Sequence, residues 1–207
     1  MKQRILAGAT VRALFDDTID TEQELIFELE ANSSLEFVAL LTGTIPELSI
    51  TVHLMGENAQ AHIKGLYILK DAQKLVFSTQ QLHQAPHTTS SCTIKGILYD
   101  ASYAQYKGTI HVDRQAHHAN AQQVNKNMLR GSKARAQSVP CLEVLTKQVQ
   151  CSHGSAVGNL DKEIVFYMQS RGLLAEQAQR VLLQGFAGEI IDALPIDKAM
   201  QVKELIL

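Results

Sequence analysis

Hydrophobic and polar residues alternate along most of the first 150 positions of the chain. In ELSITVHLMG (47–56), Leu48, Ile50, Val52 and Leu54 stand two residues apart. That spacing is the period of a β-strand with one buried face. Turn-prone residues separate similar segments, so the pattern predicts a β-rich core. The other predicted strands cover 21–30, 61–69, 74–82, 92–100, 104–113 and 139–145.

Three of the predicted strands share a Lys-Gly pair, in IKGLYI (63–68), IKGILY (94–99) and YKGTIHV (106–112). A glycine inside a strand often marks a bulge or a close approach of the backbone to another group. A loosely repeated strand–turn unit favours a β-solenoid, in which each coil of the chain pairs with the next. An antiparallel β-sandwich has the same strand spacing, so the pattern alone leaves both architectures open.

After residue 158 the period changes to that of helices. The segment 159–163 holds an N-cap candidate with acidic residues in the first turn, and Gly172 is a natural glycine after a helix end. In the next segment Ala178, Leu182, Phe186 and Ile190 form one apolar stripe, and Pro195 opens a last helix. The stripe either packs on the β core or is a docking face.

Composition and charge exclude several classes of protein. The chain is 45% hydrophobic and 19% charged, with a formal net charge of −2, which is typical of a globular protein with no nucleic-acid or anionic-membrane partner. No apolar run approaches the roughly 20 residues that span a bilayer. The N-terminal segment does not resemble a signal peptide, so we expect a cytoplasmic protein. Three cysteines with no CxxC pair make a disulfide framework improbable.

The segment CSHGSAVG (151–158) carries the most specific chemistry. Cys151 and His153 supply soft sulfur and borderline nitrogen, which suit iron, zinc or copper. Two ligands are too few for a tight site, so a functional site needs ligands from another chain or from sulfide. The alternative is a tight turn shaped by Ser152 and Gly154. No GxSxG, HExxH, Walker A or GxGxxG element is present, so the chain is predicted to be a platform and not an enzyme.

Residues 118–190 closely resemble the SufB/SufD family of iron–sulfur cluster assembly proteins. The most specific part, CSHGSAVGNLDKEIVFYMQSRGL (151–173), is similar to a SufD-like pattern of approximately CSHGATVGxLDxExLFYLxSRGI. The runs AQQVNKNML (121–129) and SVPCLEV (138–144) match as well, and 83–112 matches more loosely.

The resemblance implies a right-handed parallel β-helix over 1–158 and a small helical region over 159–207. It also implies a non-catalytic scaffold that pairs with a SufB-like subunit and binds the SufC-like ATPase through the helical region. In SufD-like members the matching histidine lies at the subunit interface. His153, with Cys151 as the weaker candidate, is therefore expected to hold atoms of a nascent cluster there, with no stably bound cofactor. The ATPase is expected to bind the apolar stripe at Leu182, Phe186 and Ile190.

One position separates this chain from the SufB branch. SufB-like members carry a key cysteine where this chain has Asn125, which cannot supply a thiolate. The resemblance therefore implies that a SufB-like partner provides the sulfur-accepting cysteine. Family proteins are commonly longer, so we also expect a member with a shortened N-terminal half. Two other hypotheses remain at this point, a homodimeric scaffold paired through its last strands and a β-helix enzyme acting on polysaccharide.

Overall fold

In the computed structural model, which describes residues 1–18, 23–43 and 45–206, the β-rich segment forms two parallel sheets of six strands each. The first sheet has the order β1-β3-β5-β7-β9-β11 and the second has the order β12-β10-β8-β6-β4-β2. The strands are β1 Lys2–Ile5, β2 Thr10–Asp16, β3 Glu24–Leu29, β4 Ser34–Leu41, β5 Glu47–Leu54, β6 Gln60–Leu69, β7 Lys74–His83, β8 Thr89–Leu98, β9 Tyr103–Val112, β10 Asn120–Leu129, β11 Arg135–Val144 and β12 Gln150–Asn159.

The pairing decides between the two architectures that the strand spacing left open. Each strand pairs in parallel with the strand two places away in sequence, as Ile63 on β6 does with Cys92 on β8 and Cys92 with Gln123 on β10. Consecutive strands therefore lie in opposite sheets, and each pair of strands is one rung of a solenoid. The predicted parallel β-helix with a C-terminal helical region is confirmed, and the antiparallel sandwich is excluded.

All seven predicted strands overlap observed ones, although residues 21–22 of the 21–30 prediction lie outside the described residues. The alternation did not single out β10 or β12, because inward positions on these strands carry polar residues such as Gln123 and His153. The interpretation of 151–158 as a tight turn is wrong. This segment lies within β12, which pairs along its whole length with β10.

The interior of the solenoid changes from apolar to polar along its axis. The early rungs stack leucine, isoleucine and phenylalanine, with the rings of Phe27 and Phe37 5.1 Å apart. Later rungs hold a buried network in which the Thr79 and Tyr106 hydroxyls lie 2.6 Å apart and Cys92 contacts both. Buried polar groups are tolerated when they are hydrogen-bonded to each other, so this network keeps the later rungs packed.

The glycine of the Lys-Gly pair allows close approach inside the solenoid. A Cβ added to Gly96 would lie 2.1 Å from the Tyr67 ring, and one added to Gly108 would lie 2.1 Å from the Gln123 amide. Both glycines face inward, and each makes room for a large side chain: Tyr67 on the neighbouring strand β6 and Gln123 on β10 of the opposite sheet. The alternative of a bulge is not needed, because the register of these strands is continuous.

Three helices follow the strands: α1 Lys162–Ser170, α2 Ala175–Ile191 and α3 Ile196–Leu205. Asp161 caps α1 by accepting from the amides of Glu163 and Ile164, and Gly172 takes φ +95° just past its end, as predicted. In the described ranges no helix is both long and apolar enough to cross a bilayer.

The second helix packs on the outer face of the sheet that contains β12. Leu183, Ala187 and Ile190 of α2 join Leu66 and Ile97 of the sheet in one apolar cluster. Two ion pairs fix the helices there: Lys95 lies 3.1 Å from Glu189, and Lys198 lies 2.5 Å from the buried Asp16. The packing interpretation of the helical region therefore holds for most of α2. In contrast, the described residues of α1 include no buried side chain.

The buried His83 makes the fold sensitive to acid. Thr88 Oγ1 donates its proton to the Ala85 carbonyl, so it accepts from Nδ1–H of His83 at 2.8 Å. Nε2 of His83 accepts from the Ser90 hydroxyl, also at 2.8 Å. The imidazole is thus bound as the neutral form, and burial lowers its pKa to about 4. An unfolded histidine has a pKa of about 6.5. Stability is therefore complete above pH 6.5 and is lost as the pH falls towards 4.

We predict that the wild-type chain loses about 2–3 kcal/mol more unfolding free energy between pH 7 and pH 4.5 than the His83→Gln variant does. Urea unfolding at the two pH values measures the difference. The exposed His117 is the matched control, and His117→Gln should keep the wild-type pH dependence. An equal loss in His83→Gln and wild type would show that His83 does not titrate in this way.

Candidate functional site

The last rung of the solenoid, formed by β11 and β12, is an open end. Each of these strands pairs with a neighbour on one side only, β11 with β9 and β12 with β10. Large apolar residues are exposed there, including Val139, Leu142 and Val157 at 42%, 39% and 46%. An exposed sheet end with apolar side chains is a typical surface for a protein partner.

The inward positions of β12 carry the predicted ligands. Cys151 stacks on Ala121 and His153 stacks on Gln123, the position that in turn covers Cys92. On the rungs below, these positions are buried, whereas His153 is exposed and Cys151 is half-buried because nothing described lies above them. The sequence motif is thus displayed at the mouth of the interior, within reach of a neighbouring molecule.

Among the described residues, the two candidate ligands do not form a complete metal site. Residues two apart on a strand have Cα atoms roughly 6.6 Å apart and side chains on one face. In the described part of the chain, no three His, Cys, Asp or Glu side chains come together to hold a metal ion. Burial raises the pKa of the Cys151 thiol, an effect that a hydrogen bond from the Ala121 backbone opposes. The thiol is therefore mostly protonated at neutral pH until a metal or partner approaches.

Asn125 lies inside the solenoid, directly below Ser155 of the last rung. Its amide nitrogen donates to the Ile94 carbonyl at 3.3 Å, and its oxygen accepts from Asn127 at 2.8 Å. Asn127 in turn accepts from the Tyr67 hydroxyl. The position at which the resemblance places the SufB-type cysteine is thus one rung inside the open end. It is filled here by a structural amide.

The other two cysteines do not face the interior at this end. Cys92 is fully buried beside Thr79 and Tyr106, and burial raises the pKa of its thiol to about 11. Cys141 is exposed on the outer face of β11. Of the two, only Cys92 is buried, as a free cysteine usually is.

The two open strand edges differ in their capacity to bind a further strand. On β11, Arg135 and Leu145 donate their amides to the β9 side, so the even-numbered residues face the open edge. Pro140 is one of these, and its missing N–H removes the central donor of that edge. Proline at such a position blocks strand addition.

On β12, by contrast, the edge is complete. Gln150 donates its amide to Ala119 on the β10 side, so the odd-numbered residues face outward. The backbone groups of Cys151, His153, Ser155 and Val157 are therefore directed to the open edge, with no proline among them. The sequence pattern gave no signal for this edge, because it depends on which strand is last in each sheet.

The three residues of the predicted docking stripe differ in how deeply they are buried. Ile190 is fully buried in the apolar cluster and offers no side-chain surface to a partner. Phe186 is half-buried, with Lys95 Nζ 5.6 Å from its ring centroid, and Leu182 is also half-buried. The strongly exposed apolar residues of the helical region lie elsewhere. In the described residues they are Ile164, Phe166, Tyr167, Leu174, Val181, Ile196 and Met200, with Phe166 at 72%, Leu174 at 69% and Ile196 at 83% exposed.

Comparison with known proteins agrees with this architecture. Residues 11–186 match the family model described as "SUF system FeS cluster assembly, SufBD core domain". The iron–sulfur cluster assembly protein SufD of Escherichia coli is 32% identical over 155 residues, which are 75% of this chain and 37% of that protein. A SufBD family protein of Mycobacterium leprae is 33% identical over 175 residues, 81% of this chain and 44% of that protein. One from Synechocystis is 38% identical over 111 residues, 54% of this chain and 24% of that protein.

The fold and its open end define a parallel β-solenoid whose last rung leaves ligand-type side chains uncovered by any described strand. The chain belongs to the SufBD family of iron–sulfur cluster assembly proteins, as the match to the core domain shows. It spans about a quarter to less than half of the length of the curated relatives it matches.

We predict that iodoacetamide at pH 7.5 alkylates Cys141 first, Cys151 more slowly and Cys92 slowest of all. Exposure falls in that order, and burial raises the pKa of the two less accessible thiols, Cys151 and Cys92. Peptide mass spectrometry over a time course measures the three rates, and the urea-unfolded chain is the control in which they should converge. Labelling of Cys151 as fast as Cys141 would show that β12 does not hold its thiol against the rung below.

Proposed function

We propose that this chain is a SufD-like, non-catalytic scaffold subunit in iron–sulfur cluster assembly. Its open end pairs with a SufB-like subunit, and its helical region binds a SufC-like ATPase. The observation that carries the proposal is the display of His153 and Cys151 at inward positions of an uncovered last rung. Membership of the SufBD family supports the same role, and the cytoplasmic location expected from the sequence is part of the proposal.

The nascent cluster is shared between two chains in this proposal. His153 and Cys151 supply at most two ligands, and Asn125 supplies no thiolate. A tetrahedral iron needs about four ligands, so the remainder comes from the partner and from sulfide. A site that exists only while two subunits are joined suits transient handling of a cluster better than stable binding.

Pairing is proposed to use the β12 edge and the apolar residues beside it. The complete row of outward backbone groups on β12 allows a strand of the partner to add there, whereas Pro140 disfavours addition on β11. A partner strand placed along β12 would cover His153 and bring its own ligands near the imidazole. A second copy of this chain has the same edge, so a homodimer remains the alternative partner.

We predict that His153→Ala lowers the iron and sulfide content of the complex purified with SufB-like and SufC-like proteins by roughly tenfold. The reason is loss of one ligand from a site with few ligands. Acid-labile sulfide and iron are measured per complex, and His117→Ala is the matched control because it removes another exposed imidazole.

Three results would contradict the proposal. Unchanged cluster content in His153→Ala would remove His153 from the site. A chain that stays alone while the SufB-like and SufC-like proteins assemble would remove the scaffold role. A stable homodimer by native mass, with no binding of a SufB-like subunit, would favour the homodimeric alternative.

For the ATPase, we predict that Phe166→Asp abolishes binding of the SufC-like protein without lowering the melting temperature. Phe166 is 72% exposed on α1, so its loss costs the fold little but removes an apolar contact from the proposed docking face. Pull-down and thermal melting are measured together. Met200→Asp, at 60% exposure on α3, is the control with another largely exposed apolar side chain.

Phe186→Asp is informative in the same experiment. Its ring packs against the apolar cluster and lies under Lys95, so we expect this variant to melt at a lower temperature. Normal binding by Phe166→Asp, with loss of binding by a fully folded Phe186→Asp, would move the docking face back to the α2 stripe.

A further inference from the structure

A cleft at the C-terminal ends of β10 and β12 lies between the turn after β10 and the helices α1 and α2. Its volume is about 590 Å³. Residues from four neighbouring segments line it, so the fold and not one flexible loop forms its walls. Its polar side chains are Arg130, Ser132, Asn159, Lys162, Gln169 and Gln179.

The charge of the lining is one-sided. Arg130 and Lys162 contribute two cations, and the described lining includes no aspartate or glutamate. The other polar groups are amides and a hydroxyl, which can donate hydrogen bonds. Leu129, Leu160 and Val165 form an apolar wall beside them. Such a lining suits an anion and disfavours a metal ion.

Arg130 has an unused donor in this region. One Nη2 hydrogen bond goes to the Gln179 side chain, but Nε is buried and has no hydrogen-bond partner among the described residues. The hydroxyl of Tyr99 is also buried without a described partner. Leu98 of β8 pairs with Leu129 of β10, and Tyr99 and Arg130 are the next residues after each of them. Tyr99 and Arg130 are therefore adjacent on neighbouring rungs. Buried donors of this kind are costly unless an acceptor reaches them.

We propose that this cleft binds phosphate, free or as a phosphate ester. A guanidinium donates to two oxygens of a phosphate at once, and Lys162 adds a second charge from the first turn of α1. Ala175, the first residue of α2, also lines the cleft, and the N-cap Leu174 makes no side-chain hydrogen bond to the first-turn amides. These amides and the helix dipole add to the attraction of an anion. The proposal does not depend on the site at His153.

The test uses inorganic phosphate as the probe and the intact chain labelled with ¹⁵N. Phosphate is titrated at constant ionic strength, with chloride as the replaced ion, and amide shifts are followed by NMR. We expect saturable shifts at Gly131, Ser132 and Lys162. We expect Arg130→Gln to weaken the fitted affinity at least about tenfold and Lys162→Gln at least about threefold. Lys147→Gln, an exposed lysine outside the cleft, should bind like wild type.

Some results would overturn the proposal. Shifts that never saturate, or that chloride reproduces, would show screening of surface charge instead of a site. Equal affinity in wild type and Lys162→Gln would also exclude it, and this variant remains decisive if Arg130→Gln fails to fold, because Lys162 is exposed. Titration with AMP separates the two sources of phosphate: AMP shifts at Leu160 and Val165 support an ester, and their absence supports the free ion.

Discussion

The stacking of inward side chains from rung to rung is the interaction on which the rest of this structure depends. In-register parallel pairing places each inward residue over the equivalent residue of the rung below, as with Cys92, Gln123 and His153. Each added rung buries the one before it, so burial is complete within the coil and stops at the last rung. The candidate site follows from this geometry, because positions that are core elsewhere become surface at β12.

The interior of the rungs that lead to the open end at β11 and β12 is polar. Leucine and phenylalanine fill the first rungs, whereas Thr79, Tyr106, Gln123 and Asn125 fill the later ones. An apolar stack continued to the last rung would expose a large hydrophobic surface to water. Hydrogen-bonded amides and hydroxyls make the transition to solvent gradual. Backbone pairing with β10 sets the register of the strand that carries Cys151 and His153.

Apolar packing and ion pairs join the helical region to the sheet. These contacts use some of its residues inside the chain and leave others exposed. Leu183 and Ile190 are used inside the chain, with the Lys95–Glu189 and Lys198–Asp16 pairs fixing the helices against the strands. Removing one member of the buried Lys198–Asp16 pair would leave an uncompensated charge, so this pair also fixes the position of α3. The exposed apolar residues of α1 remain available for a partner because α1 has no such anchors in the described structure.

The sequence by itself determined the strand period, the start of a helix within 159–163, the glycine after α1 and the family resemblance, because these depend on neighbouring residues or on a contiguous motif. It did not reveal β12 as a strand, because the polar and small side chains there lack hydrophobic alternation. Nor could the sequence show that Ile190 is buried and Phe166 exposed, since both residues are apolar. Only the tertiary structure decided these points, because burial depends on which strand or helix lies opposite, and at the last rung none of the described strands does.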